Sequence, residues 1–227
     1  MDEKEVNFEE IAKRYNVDLR KLELEQLKLA KSLEIKDKIN FKLAERVAGI
    51  ENIFVRNRII SALIVLDNEE LVEQEYFEDK IRFPYIPGFR AYRELPAMIS
   101  TFNKLDEKPD LIFIRGHGIL HPRGFGIASH FSLAVNVPVI GISDNLIVGE
   151  VKKDEIFINN KLSGKIIQTK EEAKPVYVSP GNFISVNTSA LLCRKFTKEP
   201  HKFPEPLRLA KKYAKEIMKE IFYANEF

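Results

Sequence analysis

Between residues 47 and 76 the chain carries consecutive runs rich in β-branched residues, at 47–55, 59–66 and 71–76. Short polar turns containing Arg56-Asn57 and Asp67-Asn68 join them. Connections this short make sequence neighbours into antiparallel neighbours in space, which predicts a β-meander. The pattern then changes. The apolar run 111–114 enters Gly116-His117-Gly118, a helix is predicted from about 126 to 135, and 138–142 reads as another buried strand. Strand, helix, strand with short loops is the arrangement of a parallel crossover. A meander joined to a crossover predicts an α/β fold of three layers, with a central mixed β-sheet flanked by helices. Further strands are predicted over 154–178 around Asn159-Asn160, ending in Ser179-Pro180-Gly181. Helices are predicted over 18–34, 91–105, 185–196 and 205–222. In the first of these, Leu19, Leu22, Leu24, Leu27, Leu29 and Leu33 stand among charges.

No linker or repeat divides the 227 residues, so residues 1–227 are read as a single domain, with 1–17 expected to be poorly ordered. No apolar run reaches the roughly 18–20 residues that span a bilayer, and MDEKEVNFEE lacks the features of a secretory signal. The lone Cys193 excludes an internal disulfide and predicts a small buried apolar role. A cytoplasmic protein without a membrane partner is the expectation. The net charge of +2 says little about partners. Its distribution says more. Arg194, Lys195, Lys198, Lys202, Arg208, Lys211, Lys212, Lys215 and Lys219 form a basic stretch that suits phosphates or a solvated helix face.

Two segments carry chemistry. In Phe83-Pro84-Tyr85-Ile86-Pro87-Gly88, prolines stiffen a loop whose tip bears an aromatic and an aliphatic side chain. Such a tip either inserts between bases or folds back onto the core. The second segment runs from Gly116 to His130 and combines glycines with a following helix N-terminus. Its backbone amides suit a closely approaching ligand, and His121 and Arg123 suit a phosphate; a structural turn is the alternative. A zinc site of His117, His121 and His130 is disfavoured, since no cysteine cluster accompanies them.

Taken in order, these segments resemble the endonuclease V family, which recognises deaminated adenine (inosine) in DNA or RNA. The resemblance spans roughly 22–222. It rests on Arg46-Val47-Ala48-Gly49, the 84–88 loop, Arg93-Glu94, Gly116-His117-Gly118, His121-Pro122-Arg123 and the segment 125–130. It extends through Pro138-Val139-Ile140-Gly141, Val178-Ser179-Pro180-Gly181 and 204–210. The resemblance implies a ribonuclease H-like fold and a wedge made of Tyr85, Ile86 and Pro87. It also implies a flipped-base pocket around Gly88, Gly116, Gly118 and Ile127, with His121 and Arg123 at the nucleic acid. The family cleaves with Mg²⁺ held by carboxylates.

The chain departs from the family at that metal. The first family aspartate is Glu51, the glutamate survives as Glu94, and the aspartate opening the glycine loop is Arg115. The family lysine is Asp144, the histidine after Ser-Pro-Gly is Asn182, and a later aspartate is Asn187. Arginine has no lone pair for a metal. Glu51, Glu94, Arg115, Asp144, His121 and Asn182 are therefore expected to be catalytic positions that no longer work as a set. No metal is expected, or at most one at Glu51 and Glu94, and no cofactor unless Mg²⁺-dependent activity survives. An ion pair from Arg115 to Glu51, Glu94 or Asp144 is expected in its place. The leading expectation is a DNA- or RNA-binding protein with its cutting chemistry lost or strongly impaired. An altered nuclease using Glu51, Glu94 and Asp144, and a protein-partner subunit, are the alternatives.

Overall fold

A computed structural model of the chain describes residues 8–170 and 172–223. Residues 1–7 and 224–227 lie outside the described residues. The first part of the 1–17 segment thus lies outside the described residues. In its second part α1 (Phe8–Arg14) packs Ala12, Phe8 and Ile11 against Ile86 and Phe89.

The meander is β1 (Arg46–Val55), β2 (Arg58–Asp67) and β3 (Glu70–Lys80), paired antiparallel in sequence order. β4 (Leu111–Arg115) lies parallel to β1, and β5 (Val139–Ser143) lies parallel to β4. α4 (Ile127–Val135) makes the crossover and ends on Asn136 in the left-handed conformation, just before Val137-Pro138. β6 (Glu150–Lys152), β7 (Glu155–Ile158), β8 (Lys161–Ile167) and β9 (Val176–Asn182) complete, among the described residues, one nine-stranded sheet, ordered β3-β2-β1-β4-β5-β9-β8-β7-β6. β6 was not predicted, and β9 runs straight through Ser179-Pro180-Gly181 where the sequence suggested a stop. Hydrogen bonding to β5 keeps that segment extended.

Alternation along the central strands divides the core into two halves. Val47, Leu111, Phe113, Ile140 and Ile142 face α5 (Val186–Phe196) and Leu207 of α6 (Glu205–Tyr223). Ala48, Ile50, Ile112, Ile114 and Val139 face α3 (Arg90–Phe102) and α4, where Phe102 meets Phe131 edge-on at 5.9 Å. Each of these large side chains contributes about 1.5–3 kcal/mol by burial. Cys193 is fully buried in the first half, and its thiol is pushed up to about 12 by that burial. Among the described residues, no helix is long and apolar enough to cross a membrane.

α2 (Leu19–Ala30) starts on Asp18, whose side chain accepts from the Lys21 amide at 3.0 Å. Leu24 and Leu27 are exposed, so the helix buries fewer leucines than its sequence suggests. Gln26 takes a fully buried position on its inner face.

Candidate functional site

β1, β4 and β5 run the same way, so their C-terminal ends meet at one rim of the sheet. Glu51 follows the Ile50–Ile114 rung and is level with Arg115, on the face toward α5 and α6. Asp144 follows the last residue of β5. Glu94 reaches the same rim from α3, on the other face, and accepts from Asn52 Nδ2 at 2.8 Å.

The cation that holds Glu94 escaped the sequence reading. Arg90 Nε donates to Glu94 Oε1 at 2.5 Å and Nη2 donates to Oε2 at 2.9 Å. Its Nη1 donates to the Arg115 carbonyl at 2.9 Å. A cation in the first turn of a helix opposes the macrodipole by about 0.3–1 kcal/mol. The helix itself does not favour Arg90; the carboxylate and the carbonyl hold it. Burial disfavours its charge, yet Glu94 and, less strongly, Glu51 outweigh that and raise its pKa. The available signal was spacing, because residues 90 and 94 share a helix face.

Arg115 selects one of its three expected partners. Its Nη2 donates to Asp144 Oδ2, and Lys202 Nζ donates to Asp144 Oδ1 at 2.7 Å. The Arg115 guanidinium lies 4.2 Å over the Phe203 ring. Burial works against the Asp144 charge, but Lys202 and Arg115 prevail and hold the carboxyl below the usual range. Glu51 behaves oppositely. Burial raises its pKa despite nearby Arg115, Lys211 and Arg90, and its buried Oε2 has no hydrogen-bond partner.

Mg²⁺ wants near-octahedral oxygen ligands at well-defined places. The donors here do not fit it. Both oxygens of Glu94 are engaged by Arg90 and Asn52, and both of Asp144 by Arg115 and Lys202. Among the described residues no three or more His, Cys, Asp or Glu come together as a metal-binding group.

Beside this cluster opens a cleft of about 480 Å³, lined by Tyr85, Gly88, Arg90, His117, Ile127 and Asn145 among others. Tyr85 is 56 % exposed at its edge and Pro87 is exposed beside it. The expected three-residue tip is corrected at Ile86, which is 2 % exposed and packs under α1 and α2. Apolar surface from Phe8, Ile11 and Leu22 draws it inward. Arg123 is also redirected from phosphate to protein. Its Nη2 donates to the Gly88 carbonyl at 2.7 Å, its Nε to Gln26 Oε1 at 2.5 Å, and it pairs with Glu23 at 3.2 Å. Gln26 Nε2 also donates to the Gly88 carbonyl, at 3.2 Å. Arg123 and Gln26 thus clip the wedge loop to α2. A glutamine at a core position of an amphipathic helix was the missed signal.

The glycine loop uses its own amides. Gly116 N donates to the Ile142 carbonyl at 2.8 Å and Gly118 N to Ser179 Oγ at 2.9 Å. The Gly126 and Ala128 amides go to the Gly118 and His117 carbonyls. Of the four positions expected around a base, Gly88 and Ile127 line the cleft, while Gly116 and Gly118 do not and their amides are engaged within the protein. A Cβ at Gly118 would stand 2.0 Å from the Pro180 carbonyl oxygen, so glycine there permits close packing on β9.

His121 is 5 % exposed and burial, with Arg123 nearby, pushes its pKa down to about 4; it is neutral at pH 7 and ill suited to hold a phosphate. His130, between Tyr92 and Phe125, is likewise pushed to about 4 by burial. Both folded values lie below the ordinary value of 6.5, so the unfolded chain binds more protons between pH 6.5 and 4. Stability should be full above pH 6.5 and fall as pH drops toward 4, by at most about 3 kcal/mol per histidine. Urea midpoints from pH 7 to 4 should show this fall, and His130→Leu should flatten it. An equal slope in that variant would contradict the assignment.

Asn182 does not join the rim. It pairs with Val139 at the opposite end of β5 and its Oδ1 accepts from the Glu34 amide at 2.7 Å. Antiparallel β9 carries it away from the Arg115 rung. Asn187 is exposed at the start of α5. The altered positions that meet are thus Glu51, Arg115 and Asp144, joined by Arg90, Lys202 and Lys211.

The mixed sheet with helices on both faces is a ribonuclease H-like fold. It matches endonuclease V of Bacillus subtilis with a TM-score of 0.82 at 24 % identity, covering 89 % of this chain and 93 % of that one. It also matches Ciona intestinalis endonuclease V in complex with a 24mer DNA containing an inosine, with a TM-score of 0.81 at 23 % identity, covering 89 % and 98 %. The sequence profile of Endonuclease V matches residues 27–212. Endonuclease V of Thermosipho melanesiensis is 37 % identical over 183 residues, which are 77 % of this chain and 80 % of that protein. The chain belongs to the endonuclease V family.

Proposed function

We propose that this protein is a nucleic-acid reader, binding DNA or RNA strands that carry inosine or a comparable distortion without cleaving them. The observation that carries this reading is the engagement of both Glu94 oxygens by Arg90 and Asn52. Arg115 stands where the family aspartate is expected and is tied to Asp144. The cleft beside Tyr85 supports the binding half of the reading, with the base entering between Tyr85 and Ile127. An inosine-containing DNA is bound by the Ciona relative. The altered-nuclease alternative keeps only Glu51 as an acid with an oxygen lacking a partner, which is one ligand for an ion that needs several.

The test is one labelled strand with a single inosine, assayed for binding and product with EDTA, Mg²⁺ or Mn²⁺. Binding should be the same in all three and no product should form. Tyr85→Ala should weaken binding about tenfold or more, since stacking of an aromatic on a base is worth about 1–3 kcal/mol. Metal-dependent product that vanishes in Glu94→Ala would overturn the reading. Neither binding nor product would favour the protein-partner alternative.

A further inference from the structure

We infer that Arg115 and Lys202, braced by Asp144, form a metal-independent clamp for one backbone phosphodiester of the strand whose base enters the cleft. The inference rests on the reader proposed above and adds the residues that hold its backbone.

Charge and geometry support it. Around the rim stand four cations, Arg90, Arg115, Lys202 and Lys211, against three acids, Glu51, Glu94 and Asp144. The Glu94 side chain is 3 % exposed, whereas Arg90, Arg115 and Lys202 are 37 %, 27 % and 22 % exposed and Lys211 is exposed. Asp144, 33 % exposed, is an acid at that surface too, and the four cations still outnumber it there. Asp144 holds Arg115 and Lys202 side by side through separate oxygens, and Phe203 fixes the guanidinium plane. A guanidinium has five N–H donors and an ammonium three. Among the described residues each of these two side chains has one hydrogen-bonded acceptor, Asp144, so donors remain for an anion. Planar guanidinium donors suit phosphate oxygens. The clamp also adjoins the cleft. Ser143 and Asn145, on either side of Asp144, both line the cleft. Arg115, Asp144 and Lys202 stand behind that lining, on the α5 and α6 side of the rim, so the strand's backbone would cross the rim to reach them.

A methylphosphonate scan tests this. Neutral linkages are placed one at a time along an inosine-containing strand, and binding is measured in EDTA for the unaltered protein, Arg115→Gln, Lys202→Gln and Tyr85→Ala. Each glutamine variant leaves Asp144 one cation, and circular dichroism confirms that it is folded. One linkage should weaken the unaltered protein severalfold yet leave Arg115→Gln and Lys202→Gln indifferent, while Tyr85→Ala, though weaker, keeps the same profile. The slope of log K against log salt should shrink by about 0.7 in each glutamine variant. Identical scan profiles and slopes in the unaltered protein and both glutamine variants would overturn the clamp and leave the reader intact. No binding by the unaltered protein would overturn both.

Discussion

Glu94→Ala should lower the stability of the folded chain by about 3 kcal/mol, measured by urea unfolding at pH 7. In a site built for a metal, removing one of several clustered carboxylates relieves repulsion when the ion is withdrawn. Here Glu94 neutralises Arg90, and its side chain is 3 % exposed. Breaking a buried pair from one side costs about 3–5 kcal/mol, because the remaining charge stays unpaired. Arg90 is 37 % exposed, so solvent screens part of that cost. The loss of the acceptor for Asn52 Nδ2 adds about 1 kcal/mol. Arg90→Leu/Glu94→Leu removes both charges and should recover at least half of the loss. A Glu94→Ala protein as stable as the parent, or a double variant worse than the single, would mean that Arg90 does not depend on Glu94.

Gly118→Ala should cost about 3 kcal/mol or more and disturb the cleft. The added methyl would lie 2.0 Å from the Pro180 carbonyl oxygen and 2.5 Å from its carbon, both backbone atoms held in β9. No rotamer change relieves that contact. The loop must lift, taking the Gly118 amide from Ser179 Oγ and the Gly118 carbonyl from the Gly126 amide. Overpacking of this kind costs about 1–3 kcal/mol before hydrogen bonds are lost. Gly124→Ala is the control. A Cβ there meets nothing within 4 Å, though its φ of +63° makes the substitution cost about 1 kcal/mol. Equal effects of the two variants would show that the loop is not seated on β9.

The Arg90–Glu94 pair and the Arg115–Asp144–Lys202 bridge change how the rim substitutions relate to one another. Arg115 and Asp144 are two halves of one contact, in which Lys202 is the third member. Asn182, expected beside them, answers to Glu34 at the other end of the sheet. Its change from the family residue says nothing about the metal.

The meander, the crossover and the mixed sheet follow from local rules, so they were legible in the chain. Runs 47–55, 59–66 and 71–76 joined by short polar turns leave few other pairings, and 111–114, 126–135 and 138–142 leave few other crossovers. Arg115 and Asp144 follow the predicted runs 111–114 and 138–142, and parallel strands bring such ends together; Glu51 lies within the run 47–55 and was marked by the family resemblance. The Arg115–Asp144 pair was one of the pairings expected; the other partners were not legible. Arg90 comes from the opposite face of the sheet to Glu51, Lys202 from a loop 58 residues beyond Asp144, and Gln26 from a helix 97 residues before Arg123. The four-residue spacing allows Arg90 to meet Glu94, but nothing in the linear pattern says that Arg90, rather than Arg115, is the mate of that buried carboxylate. That choice depends on which charges share a desolvated space, where an unpaired ion is most costly. Ile86 shows the same limit. The sequence marks a stiff loop with an apolar tip, but only the surface supplied by α1 and α2 decides that Ile86 turns inward while Tyr85 stays in water.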